Sequence, residues 1–162
     1  MVEDKEAWLV RSGFLPMMNN KPNQDAPLYR EFEHTGDLGI EVAAPTRLEL
    51  FRRAALALSA LLVEPSNIES GEHYTVEVTA ADDIELMHDL LTELLQLFAA
   101  DGFIWCQAAV EERDKALHVT LKGESFVPSR HKPRGEIKAV TYHQLRVENI
   151  GNEWRARIIF DV

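Results

Sequence analysis

Two acidic positions near opposite ends of the chain could together bind a hard divalent cation. Asp37 stands in the turn His34-Thr35-Gly36-Asp37-Leu38-Gly39, and Asp161 precedes the α-carboxylate of Val162. Carboxylate oxygens are the ligands that Ca²⁺, Mn²⁺ and Mg²⁺ prefer. Asp37, Asp161 and Val162 would supply three carboxylates if the fold brought them together. Taken singly, Asp37 is more typical of a turn residue and Asp161 of a solvated strand end.

A second group of polar residues lies between Gly123 and His143. Its members are Glu124, His131, Lys138, Thr141, Tyr142 and His143. Glu, His, Lys and Tyr side chains gathered around one loop could transfer protons or contact phosphate. The residue types alone favour a simpler interpretation, which is a basic loop followed by a strand that carries a tyrosine.

Other catalytic patterns are missing from the sequence. The lone Cys106 stands in an apolar stretch, which favours a buried thiol over a nucleophile. It can form neither an internal disulfide nor a multi-thiolate metal site, and a single thiol suits a reducing cytoplasm. The sequence has no Gly-x-Ser-x-Gly elbow, P-loop or Rossmann fingerprint. We therefore expect no Ser or Cys hydrolase, and no nucleotide binding by this chain alone.

Composition and charge limit the kinds of partner that the chain is expected to bind. The chain has 162 residues with 27 acidic against 17 basic side chains, which gives a net charge of −10. Residues 54–112 contain twelve acidic residues and no Lys or Arg. Phosphate backbones repel such a surface, so we expect a basic or cation-seeking partner and no stable nucleic-acid binding. The alternative is that the acidic tract is only the solvated side of two helices. Neither a membrane span nor a signal peptide is predicted, which favours a cytoplasmic protein.

The elements that must position these residues can be predicted from periodicity and capping. Residues 1–28 contain three prolines and no sustained pattern, which predicts a flexible leader before a domain over 29–162. Thr46 and Asp82 begin two helices that end at Pro65 and Gly102. Strands are predicted at 28–32, 38–42, 73–79, 103–112, 116–122, 137–147 and 153–161, the last with Trp154, Ala156, Ile158 and Phe160 on one face. This order favours an α+β fold with two helices on a largely antiparallel β-sheet system.

The chemically interesting stretches also resemble a known family. The turn at 32–40, the pair Gly123-Glu124, His131, the run 136–143 and the closing Asp161-Val162 together resemble the archease family in order and spacing. The resemblance covers residues 29–162. It implies an archease-like fold, a metal site formed by Asp37, Asp161 and the Val162 carboxylate, and His34 as a residue that orients this site.

The function that the resemblance implies is not enzymatic. Archeases are protein cofactors of the RtcB-type RNA ligase, which joins tRNA halves or repairs RNA with GTP and Mn²⁺. They promote guanylylation of the ligase's active-site histidine, allow multiple turnover and broaden nucleotide use. Two alternatives stay open, which are a metal-dependent hydrolase and a general chaperone or modulator of RNA-processing enzymes.

Overall fold

The computed structural model describes residues 28–162, and the predicted leader lies outside this range apart from Leu28. The described chain forms two helices and eight strands. In chain order these are β1 Arg30–His34, β2 Asp37–Ala44, α1 Arg47–Leu62, β3 Glu72–Val78, α2 Asp83–Asp101, β4 Phe103–Arg113, β5 Ala116–Ser125, β6 Ala139–Val140, β7 Arg146–Ile150 and β8 Glu153–Asp161. A short 3₁₀ turn, Pro65–Asn67, follows α1. The α+β prediction with two helices and antiparallel sheets is therefore confirmed.

The strands form two separate antiparallel sheets. The larger sheet has the order β1-β2-β8-β6, and β7 pairs with β8 beside β6. The smaller sheet has the order β3-β5-β4. Strand β8 pairs with β2 along one side and with β6 and β7 along the other. This central place in the sheet explains why Ile158 and Phe160 are fully buried.

Both predicted helix starts are confirmed in detail. The Thr46 hydroxyl accepts a hydrogen bond from the Glu49 amide, and the Asp82 carboxylate accepts one from the Glu85 amide. Such side-chain caps satisfy amide groups that the first turn of a helix leaves unpaired. Gly102 ends α2 in the left-handed conformation, as glycine does at many helix C-termini.

Helix α1 lies between the two sheets and holds them in one core. It packs on β2 and β8 of the larger sheet and on β4 of the smaller one. Leu50, Phe51, Ala54 and Leu58 are completely buried, as expected for a helix that is apolar over a wide face. No helix within residues 28–162 combines the length and the apolar character needed to cross a membrane.

One predicted strand is wrong in its continuity. The stretch 137–147 is not a single strand, because the chain leaves the edge of β8 after Val140 and returns to it at Arg146. Ala139 pairs with Asp161 and Arg146 with Arg157, so the register shifts by three residues across the interruption. Gln144 takes up the turn with a φ of 53°. Interruptions of this kind occur at sheet edges and re-aim side chains.

The acidic residues of the tract 54–112 do not form the solvated side of two helices. The part of α1 within residues 54–112 carries none of them. They lie on α2, on β3, at the end of β4 and in the connecting turns. The acidic surface therefore belongs to α2 and to the smaller sheet.

Candidate functional site

The β1–β2 turn and the end of β8 meet at one end of the larger sheet. Leu38 pairs with Phe160, so Asp37 and Asp161 occupy the next positions along the two strands. Residues directly opposite in an antiparallel ladder are about 4.5–5.5 Å apart at Cα and point to the same face. This region, made of His34, Asp37, Asp161 and Val162, is called the acidic sheet end below. The two strands that carry Asp37 and Asp161 are thus neighbours in the sheet, and the ligand set itself stays a prediction.

The turn that carries Asp37 has an unusual backbone. Thr35 and Gly36 both have positive φ, at 36° and 83°, in the two-residue loop of the hairpin. Primed turns match the twist of the flanking strands, and glycine adopts such angles without steric cost. Thr35 is β-branched and is strained in this region. The strain is maintained by the pairing of His34 with Asp37 on either side of the loop.

An aromatic ring fixes the strand next to the turn. Phe32 pairs with Gly39, and its ring lies so close that a Cβ added at Gly39 would be 2.2 Å from it. The Arg157 guanidinium covers the same ring at 4.0 Å from its centroid and also binds Glu41. The second glycine of the turn motif therefore makes room for Phe32, and this packing aligns the hairpin with β8.

His34 faces the site with an unsatisfied nitrogen. Its Nδ1 is buried, finds no hydrogen-bond partner within the described part of the chain, and lies 3.8 Å from Asp37 Oδ2. The ring of His143 is tilted against it, with 5.2 Å between the centroids. Because 3.8 Å exceeds hydrogen-bond distance, His34 lies near this carboxylate without a hydrogen bond to it, and the orienting role of His34 stays a prediction.

The donor set at this end suits a hard cation. Asp37 and Asp161 provide carboxylate oxygens, and the α-carboxylate of Val162 follows directly in the chain. Among residues 28–162, no three His, Cys, Asp or Glu side chains are grouped closely enough to hold a metal ion by themselves. The three-carboxylate cation site therefore stays a prediction.

The segment 138–143 runs beside the acidic sheet end. The Lys138 amide donates to the Asp161 carbonyl at 2.7 Å, and both the amide and the hydroxyl of Thr141 donate to the Ile159 carbonyl at 3.0 Å. The side chains of Lys138, Tyr142 and His143 are exposed. The interrupted edge strand therefore presents these three predicted residues next to Asp161.

Sequence reasoning missed His88, which contacts this segment from α2. Its ring stacks on Tyr142 with 3.8 Å between the centroids and 12° between the planes. Partial burial against the helix, and then the carboxylates of Asp89, Glu85 and Asp82, raise the pKa of Tyr142 above its usual value. The raised pKa keeps the phenol of Tyr142 neutral at physiological pH. The side chain is 56% exposed and is therefore accessible from solvent. A polar residue within the apolar pattern of α2 was the only signal in the sequence for His88.

Glu124 and His131 form a different cluster, beside the smaller sheet. Glu124 accepts hydrogen bonds from the Glu69 amide and from Arg130, and these, the Glu69 amide first, lower its pKa. His131 is buried, and its Nδ1 accepts a hydrogen bond from the Val127 amide. Its Nε2 lies 3.2 Å from Glu124 Oε2, although the N–H is not aligned for a hydrogen bond.

The structure therefore does not bring all six residues of the second group together. Within residues 28–162, the polar contacts of Glu124 and His131 run to the loop 126–131 and to Glu69, while Lys138 to His143 lie along β8. Gly123 allows a close backbone approach, because an added Cβ would be 1.8 Å from the Ile104 carbonyl oxygen. Glu124 and His131 therefore hold the loop 126–131 beside the smaller sheet.

The prediction of a buried Cys106 is wrong in degree. The thiol is only partly buried, because it lies at the irregularity between Trp105 and Gln107 in β4. Its Sγ lies 3.7 Å from the Lys122 carbonyl, and partial burial raises its pKa. A thiol with a raised pKa is a poor nucleophile.

Fold and site together define a small α+β domain with two antiparallel sheets and a carboxylate-rich sheet end. Comparison with known proteins then gives the family. Residues 29–162 match the Archease protein family, and this chain belongs to it. The match includes every residue of the acidic sheet end and of the segment 138–143.

Individual relatives agree with this result. The chain is 32% identical to the protein archease of Pyrococcus furiosus over 83% of its length and 98% of the relative's. It is 33% identical to that of Methanopyrus kandleri over 83% and 99% of the two chains. The solution structure of protein 1598 from Methanobacterium thermoautotrophicum is similar with a TM-score of 0.67 at 30% identity, covering 83% of this chain and 99% of the other.

A Thermotoga maritima archease, described as a "possible chaperone", shares the fold. Its TM-score is 0.58 at 23% identity over 81% of this chain and 94% of the other. The archease-like fold predicted from the sequence is confirmed by these structures. The names of these relatives specify neither a metal nor an RNA ligase.

Proposed function

We propose that this chain is a non-enzymatic activator of an RtcB-type RNA ligase. It promotes guanylylation of the ligase's active-site histidine, allows repeated turnover and broadens the range of nucleotides used. Family membership supports this role in general terms. The observation that carries the specific proposal is the meeting of the Asp37 turn, the end of β8 and the segment 138–143 at one sheet end.

The residues of the acidic sheet end divide into two roles in this proposal. Asp37, Asp161 and the Val162 carboxylate hold a divalent cation, which when bound neutralises negative charge close to the nucleotide. His34 orients Asp37 through its buried Nδ1, and the strained turn keeps this carboxylate in place. Prearranged groups of this kind accelerate a partner's reaction by positioning, without taking part in bond formation.

The segment 138–143 supplies the contacts to the partner. Lys138 and His143 offer hydrogen-bond donors, and Tyr142 offers a neutral phenol and an aromatic face. The acidic surface of α2 and the smaller sheet steers the encounter with a basic, RNA-binding enzyme. This electrostatic contribution predicts an association rate that falls as salt concentration rises.

Single-turnover guanylylation of the cognate ligase tests the proposal. Asp37→Asn, Asp161→Asn and deletion of Val162 are each expected to abolish most of the stimulation while leaving the fold intact. Asp114→Asn serves as a matched control, since Asp114 occupies the β4–β5 turn with a positive φ that Asn tolerates. Full stimulation by all three variants would refute the assignment of this end as the functional site.

Two further outcomes would replace the proposal. Turnover of RNA, nucleotides or phosphoesters by the pure protein with Mn²⁺ would establish a metal-dependent hydrolase. Suppressed aggregation of unrelated proteins, with no effect on the ligase, would establish a general chaperone.

A further inference from the structure

Both ring nitrogens of His88 lie within hydrogen-bond distance of an oxygen acceptor. Its Nε2 lies 3.1 Å from the Val140 carbonyl oxygen, and its Nδ1 lies 3.0 Å from Asp89 Oδ1. A carbonyl oxygen and a carboxylate oxygen accept hydrogen bonds and donate none. The tautomer that carries its proton on Nε2 donates a hydrogen bond to the Val140 carbonyl.

The same ring contacts the interrupted edge strand twice. Val140 is the last residue of β6, which forms an outer edge of the larger sheet, and Tyr142 lies within the interruption. His88 bonds the carbonyl of the first and stacks on the ring of the second. Unpaired main-chain groups at a sheet edge need such a partner. Helix α2 therefore supplies a hydrogen-bond partner and a stacking surface to the edge strand where that strand leaves β8.

We propose that His88 is a positioning residue that holds the segment 138–143 against β8 and presents Tyr142 to the partner. The consequence for activation rests on the proposed function, whereas the positioning itself does not. From α2, Asp89 faces the ring, with Asp82 and Glu85 beside Tyr142. Glu136 and Lys138 line the groove that His88 shares with the segment before β6.

Hydrogen exchange tests the positioning. His88→Phe keeps a ring for stacking and removes both hydrogen bonds, so the Thr141 amide should exchange about tenfold faster, which corresponds to about 1.4 kcal/mol. His88→Gln retains a donor that can reach the Val140 carbonyl and should recover much of this protection. The control His73→Gln should leave it unchanged. Equal protection in His88→Phe and the unaltered protein would refute the positioning role.

The ligase assay then links position to activation. If the proposed function is right, His88→Phe lowers stimulation and His88→Gln restores part of it, in the same order as the exchange data. Faster exchange in His88→Phe with unchanged stimulation would confirm the positioning and overturn its link to activation. Loss of stimulation by Asp37→Asn in the same assay shows independently that the acidic sheet end is required.

Discussion

Substituting Gly123 with alanine should destabilise the domain severely. A Cβ at this position would lie 1.8 Å from the Ile104 carbonyl oxygen and 2.6 Å from the Trp105 Cα. Both atoms belong to the backbone of β4, so no side-chain rotation can relieve the overlap. Ordinary contact requires about 3.4 Å or more, which means that β4 must move away from β5 by more than 1 Å.

The expected loss of stability follows from what holds β4 in place. The Trp105 indole donates to the Ala55 carbonyl at 2.9 Å, and the Trp105 carbonyl accepts from the Ser59 hydroxyl at 2.5 Å. Weakening two buried hydrogen bonds costs about 1–3 kcal/mol, and overpacking adds about 1–3 kcal/mol. We therefore expect Gly123→Ala to lower the free energy of unfolding by about 4 kcal/mol, or Tm by roughly 12 °C.

Urea unfolding followed by tryptophan fluorescence measures this loss, and the buried Trp105 contributes to the signal. Gly135→Ala is the matched control, since a Cβ there meets nothing within 4 Å and the residue has no positive φ. It should change the stability by less than about 1 kcal/mol. If Gly123→Ala were as stable as Gly135→Ala, the close approach of β4 and β5 would be wrong, and Gly123-Glu124 would need a role outside packing.

Three further outcomes are expected. Gly39→Ala meets the ring of Phe32, which can swing aside, so it should cost about 1–2 kcal/mol in urea unfolding, and Phe32→Leu should recover part of the loss. The pKa of Glu124 is lowered in the folded state, so the ionised carboxylate stabilises the fold above the pKa of a free glutamate. This stabilisation is lost as the pH falls through the pKa of Glu124 in the folded protein. The difference in stability between Glu124→Gln and the native protein should therefore shrink in acid. Millimolar Ca²⁺ or Mn²⁺ should raise the Tm of the native protein and leave that of Asp37→Asn unchanged, and equal shifts in both would argue against a cation at the acidic sheet end.

The elements with a strong local signal could be predicted from the sequence. Both helices have a capping residue, a regular apolar face and a defined end, and both were located to within a few residues. The bounds of the final strand were predicted, and Ala156, Ile158 and Phe160 of its predicted apolar face are buried, whereas Trp154 is only half-buried and Ile159 on the opposite face is also buried. These features depend on neighbours in the chain, so a short window of sequence contains the information.

What the sequence could not specify depends on long-range pairing. Nothing local distinguishes two sheets from one, and the interruption of the predicted strand at 137–147 arises because its two halves pair with β8 in different registers. His88 was missed for the same reason, since its partners are 52 and 54 residues away along the chain. The separation of Glu124 from Lys138 likewise follows from the assignment of β5 to the smaller sheet.

The position of the acidic sheet end depends on the register of β8 more than on any contact of Asp161 itself. Ile158 and Phe160 point into the core, whereas Asp161 shares the opposite face with Arg157, which binds Glu41 of β2. A slip of one residue would send every side chain of this strand to the other face, and Phe160 would leave the core. The hydrophobic core thus determines where the last carboxylate lies, on the same face as Asp37. Substitutions that loosen the core around Phe160 should therefore impair the acidic sheet end before the domain unfolds.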